Sequence, residues 1–104
     1  MKQPLTIGFI GLGLIGGSIA KAIRYYYPDI RIIAHTRSQA TIDYALNEQI
    51  IDIACDQVDV RFSECDYIFL CAPVEANASY LKILKPLIQP DCILTDVGST
   101  KTDI

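Results

Sequence analysis

Six residues near the start constrain this chain more than any others: Gly11-Leu12-Gly13-Leu14-Ile15-Gly16, a G-x-G-x-x-G run. The pattern by itself is common, and its setting gives it meaning. Residues 5–11 form a short β-rich stretch bounded by glycine, which reads as a buried first strand. From Leu14 onward the period changes: Ile15, Ile19, Ala22/Ile23 and Tyr26 recur at the spacing of one helical face. A strand that turns through glycines into a helix makes a phosphate-binding corner. Gly11 permits the tight turn, Gly13 lets the main chain approach a diphosphate with no Cβ in the way, and Gly16 lets the helix pack close to the strand. The amides of Leu14 and Ile15 then face the phosphates from the positive end of the helix dipole.

The rest of the chain alternates in the same way. Pro28 stops the first helix at Tyr27. Residues 30–36 read as a second strand, and Ser38 offers an N-cap to a second helix carrying Ile42, Ala45/Leu46 and Gln49/Ile50. Residues 51–55 make a weak third strand, residues 58–65 carry no assignable period, and residues 66–71 form a fourth strand that Pro73 ends. Ala76, Tyr80, Ile83/Leu84 and Leu87 predict a helix over 75–88, with Pro86 bending or ending its last turn. Residues 92–97 are a fifth strand. Near-continuous apolar strands separated by helices imply a parallel sheet buried on both faces. With right-handed crossovers this is an α/β fold: a doubly wound, three-layer α/β/α sheet of the Rossmann type, with strand order 3-2-1-4-5. At 104 residues the chain suits one domain, 1–104. It stops at Ile104, soon after the fifth strand, so the expectation is a domain of a longer polypeptide.

The second strand ends in His35-Thr36-Arg37-Ser38. An NAD-preferring site places an acid there for the ribose hydroxyls, and this chain has none. Arg37 can pair with a 2′-phosphate, and Thr36 and Ser38 can donate hydroxyls to it, so the reading is NADP preferred, NAD possible. Ser38 serving only as a helix cap is the plainer alternative. His35 sits at the adenosine end, where a structural or adenine-flanking role fits better than catalysis. At the end of the fourth strand, small Ala72 and rigid Pro73 let a dinucleotide run past the sheet edge. The fifth strand ends in Asp96-Val97-Gly98-Ser99-Thr100-Lys101, which brings hydroxyls and a cation to the same edge.

Composition narrows the classes further. Nine Lys+Arg against twelve Asp+Glu give a net charge of -3, and no basic block stands out, so nucleic acid is not an expected partner. Glycines break the longest apolar stretch, near residues 5–20, which argues against a membrane span. The four cysteines, Cys55, Cys65, Cys71 and Cys92, form no C-x-x-C and stand with a single histidine, so no metal is expected. Cys71 and Cys92 lie in apolar runs and read as buried thiols, and with no secretion signal the expected compartment is the cytoplasm.

Three stretches together resemble the nucleotide-binding domain of the prephenate/arogenate dehydrogenase family of tyrosine biosynthesis: residues 7–18, spelling IGFIGLGLIGGS; Cys71-Ala72-Pro73-Val74; and residues 96–101, spelling DVGSTK. The resemblance implies an NAD(P)-dependent oxidoreductase that oxidatively decarboxylates prephenate or arogenate. Hydride leaves the ring for the nicotinamide, a histidine takes the hydroxyl proton, and loss of CO₂ leaves an aromatic ring. Ser99 matches the family serine that hydrogen-bonds the substrate hydroxyl. The family's general-base histidine maps to no residue of this chain, and its helical, dimerising C-terminal domain has no counterpart within 1–104. The resemblance therefore implies a domain inactive alone, belonging to a homodimer when full length. Two departures stand out. The acid often found at the position of Thr36 is missing, and Gln49 stands where a helix-ending glycine is common, which predicts an end without the left-handed cap. Two other readings remain: a 3-hydroxyacid or 6-phosphogluconate-type dehydrogenase domain, or a non-catalytic dinucleotide-sensing module.

Overall fold

A computed structural model of the chain describes residues 5–36, 39–72 and 74–96. The glycines and prolines punctuate it as expected. Strand β1 (Thr6–Ile10) leads through the glycine turn into helix α1 (Gly13–Tyr26), followed by β2 (Arg31–His35), α2 (Gln39–Asn47) and β3 (Ile53–Cys55). A short 3-10 helix (Val60–Glu64) then precedes β4 (Tyr67–Leu70), α3 (Val74–Leu84) and β5 (Ile93–Asp96). All four strand pairings are parallel, and the order across the sheet is β3-β2-β1-β4-β5. The sheet is therefore the doubly wound one expected, with its reversal of order between β1 and β4.

Alternation along each strand divides the core between the two faces. Ile7 and Phe9 of β1 pack with Ile32 and Ala34 of β2, Ala20 of α1 and Ala45 of α2. Ile10, Ile33, Ile68 and Leu70 point the other way, onto Phe62 of the 3-10 helix and Leu84 of α3. The second face explains Gly8. A Cβ there would stand 2.8 Å from the Cys65 Sγ and 3.0 Å from the Phe62 ring, so the 3-10 helix lies directly on the backbone of β1.

Several local readings are corrected. α3 ends at Leu84 rather than Ile88: Pro86 would clash with the carbonyl one turn back, and residues 85–88 close as turns instead. Tyr26, expected on the buried face of α1, is 70% exposed. Tyr26 is the last residue of α1, next to the C-cap Tyr27, and lines a surface cavity with Ile23, Pro28 and Ile30 instead of entering the core. All four cysteines are thiols, but the fully buried ones are Cys55 and Cys65, while Cys71 and Cys92 are half-buried. Cys71 lies just past the end of β4, and Cys92 just before edge strand β5. Gln49 does adopt the left-handed conformation, at φ 60°. The Ile50 amide bonds back to the Ala45 carbonyl (2.8 Å) and the Gln49 amide to the Leu46 carbonyl (3.1 Å), the paired bonds of a Schellman ending. Gln49 thus fills the conformation that glycine usually takes.

Candidate functional site

The candidate site is the edge of the sheet at the carboxyl ends of the strands, where β1 and β4 diverge. Gly11 follows β1 with φ 78°, a left-handed conformation that strains any residue with a Cβ. A Cβ on Gly11 would also stand 2.9 Å from the backbone nitrogen of Ala72, just past β4. The turn and the end of β4 are therefore in direct backbone contact, reinforced by the Cys71 amide donating to the Ile10 carbonyl at 2.8 Å. Gly16 sits one turn into α1, where a Cβ would meet the Cys71 Sγ at 3.1 Å and the Gly11 carbonyl oxygen at 3.2 Å. Gly17 has open space around it. The motif glycine Gly16 is thus tightly packed, while its neighbour Gly17 is not.

Leu12 is the N-cap of α1 and makes no side-chain cap hydrogen bond. Gly13, Leu14 and Ile15 form the first turn, the turn whose amides an α-helix leaves without intrahelical acceptors. Leu12 puts an apolar side chain at the cap position and Gly13 follows as the first helical residue. The amides of such a turn can hold an anion.

The second wall is the end of β2. The Gly11 amide donates to the His35 carbonyl, which ties the glycine turn to this strand. Thr36, half-buried, follows directly. His35 faces α3: its Nδ1 lies 3.0 Å from the Cys55 carbonyl, and its Nε2 3.4 Å from the Tyr80 hydroxyl. The two rings meet edge to face, with centroids 5.6 Å apart. His35 is therefore embedded among structural partners, in keeping with its non-catalytic reading. The third wall is Ala72, buried where the chain passes from β4 toward α3. Buried Asn77 of α3 was not singled out from sequence; its amide donates to the Leu70 carbonyl at the end of β4. Of the residues read as binding, Gly11, Gly13, Leu14, Ile15, Gly16, Thr36 and Ala72 meet at this one edge. Arg37, Ser38, Pro73 and Ser99 lie outside the described residues, as do Thr100 and Lys101. Among the described residues, no cluster of three His, Cys, Asp or Glu side chains could hold a metal ion, and no helix is long and apolar enough to cross a membrane.

Comparison with known proteins adds a decisive observation. The family model described as the nucleotide-binding domain of prephenate dehydrogenase matches residues 19–104. The chain belongs to this family. Its match begins just beyond the glycine turn, so the geometry of that turn is a separate line of support. The cyclohexadienyl dehydrogenase of Zymomonas mobilis is 34% identical over 98 residues, covering 94% of this chain and 33% of the relative. The prephenate dehydrogenase of Bacillus subtilis is 38% identical over 100 residues, covering 95% of this chain and 27% of the relative. The chain therefore spans between about a quarter and a third of the length of these relatives. Among solved structures, the arogenate dehydrogenase of Synechocystis superposes with a TM-score of 0.81 at 36% identity, over 94% of this chain and 34% of that one. The prephenate dehydrogenase of A. aeolicus, in complex with hydroxyphenyl propionate and NAD+, gives a TM-score of 0.84 at 27% identity, over 98% of this chain and 36% of that one.

Proposed function

We propose that the carboxyl edge of this domain binds NAD(P), with the diphosphate on the amides of residues 13–16, and that it serves a prephenate or arogenate dehydrogenase. The observation carrying this reading is the glycine turn: a left-handed Gly11 pressed on Ala72, opening an α-helix whose first turn has no side-chain cap. These residues fit a dinucleotide, because glycine lets the turn close tightly against Ala72 and opens α1 on main-chain amides that can meet a diphosphate. The bound nicotinamide supplies a hydride acceptor. This chain's own residues bind and orient: main chain at the turn, Thr36, Arg37 and Ser38 at the ribose, Ala72 and Pro73 beneath the dinucleotide, and Ser99 toward the substrate hydroxyl. The proton-accepting histidine belongs to another part of the full-length enzyme, which acts as a cytoplasmic homodimer, and the domain alone is inactive.

With no acid at the end of β2, the preferred cofactor is NADP. A hydrogen bond to a charged group contributes about 1.5–3 kcal/mol, or about 10–100-fold in affinity. Calorimetric titration with NAD+ and NADP+ tests the reading. NADP+ is expected to bind more tightly, and Arg37→Ala to weaken NADP+ about 10–100-fold while leaving NAD+ nearly unchanged. Absence of binding by either nucleotide at millimolar concentration would overturn the assignment.

A further inference from the structure

His35 links the glycine turn and the end of β2 to β3 and α3, although the glycine motif does not include it. Its carbonyl accepts from the Gly11 amide at the phosphate turn. Its own peptide continues into Thr36 at the ribose loop. Its imidazole reaches the Cys55 carbonyl at the end of β3 and the Tyr80 hydroxyl of α3, the helix that follows β4. The ends of three strands, β1, β2 and β3, and one helix, α3, thus meet at one side chain and its peptide.

The chemistry of these partners fixes the imidazole. A carbonyl oxygen only accepts, so the Nδ1 at 3.0 Å must carry the proton. In the neutral ring the Nε2 is then bare and accepts from the Tyr80 hydroxyl. We propose that His35, held as this Nδ1–H tautomer between Cys55 and Tyr80, is a positioning residue for nucleotide binding: it sets the carbonyl that anchors the glycine turn and the direction in which the ribose loop leaves β2. The inference rests on the NAD(P) reading above and adds to it a residue that acts through Gly11 and Thr36 rather than on the ligand.

Two measurements test it. The first is the affinity for NADP+ of His35→Leu, His35→Asn and Tyr80→Phe. Asparagine places an amide N–H near the Nδ1 position, so His35→Asn is expected to bind within about threefold of the unsubstituted protein. His35→Leu, which removes both bonds, is expected to weaken binding about tenfold, and Tyr80→Phe about threefold. The second needs no variant: nitrogen-15 correlation spectra of the His35 imidazole are expected to show Nδ1 protonated and Nε2 bare, with both resonances moving as NADP+ is added. An Nε2-protonated ring, an imidazole indifferent to NADP+, or a His35→Leu protein that binds normally would overturn the inference. So would a His35→Asn protein as impaired as His35→Leu. If the unsubstituted protein binds NADP+ and these tests fail, only the role of His35 falls; if it binds neither nucleotide, the reading of the whole edge falls with it.

Discussion

Adjacent glycines of one motif stand in different physical situations, and substitution separates them. Gly11→Ala places a Cβ in a left-handed conformation and against the Ala72 backbone. Strain and overpacking together are expected to cost about 2–4 kcal/mol in denaturant unfolding and to abolish nucleotide binding. Gly17→Ala meets nothing, and its position inside α1 favours alanine, so it is expected to stabilise by about 0.5–1 kcal/mol. Equal effects of the two substitutions would contradict this account. At Gln49, the left-handed residue is tolerated because the Schellman bonds form and Arg24 donates to its carbonyl at 3.1 Å. Gln49→Gly is expected to raise stability by up to about 1 kcal/mol by removing the Cβ penalty. The roles of Gly11 and Gly16 were legible in the sequence because motif spacing encodes them. The left-handed Gln49 was not, because the demand there comes from the helix ending and not from the residue that meets it.

Among the elements, the parallel strands and helices could be read from apolar runs bounded by glycine and proline. The 3-10 helix could not. Five residues carry no 3.6-residue period, and its cap is local: the Asp59 carboxylate accepts from the Arg61 amide and guanidinium. That contact holds the Asp59 carboxyl down at about 2. The demand for glycine at position 8 of β1 was likewise not legible, because it comes from Phe62 and Cys65 packed against that strand. Burial pushes the Cys65 thiol up to about 12, with the nearby Cys92 and Cys55 adding to the effect. Its folded pKa is raised, so its contribution to stability is complete below the ordinary thiol value of 9.0 and is lost as pH rises toward about 12. Alkaline titration of unfolding is expected to show a decline that begins near 9, and Cys65 is expected to resist alkylation in the folded protein. Rapid modification of Cys65 at neutral pH would contradict its place under the 3-10 helix.

Across the whole molecule, the chain order of strands and helices determines where a ligand can sit. The crossovers after β1 and after β4 lie on opposite faces of the sheet, and the crevice between them is the ligand position general to open α/β sheets. The apolar pattern made this architecture and its crevice legible. The exposure of the Tyr25-Tyr26-Tyr27 run was not legible, because apolar spacing marks a helical face without saying how far along the helix that face stays covered. A ligand that binds only the folded crevice stabilises the fold. At about 100 times its dissociation constant, NADP+ is expected to add about 2.7 kcal/mol and raise the unfolding temperature by about 10 °C or more. The central claim, that main-chain amides at the β1–α1 turn hold a diphosphate, is tested most directly by an amide-resolved NMR titration with NADP+. The account predicts that the amides of residues 13–16 shift most and saturate together with those of Gly11 and Thr36. Unmoved amides at this turn, with saturable shifts at the opposite edge of the sheet around Tyr26 and Asp52, would contradict it.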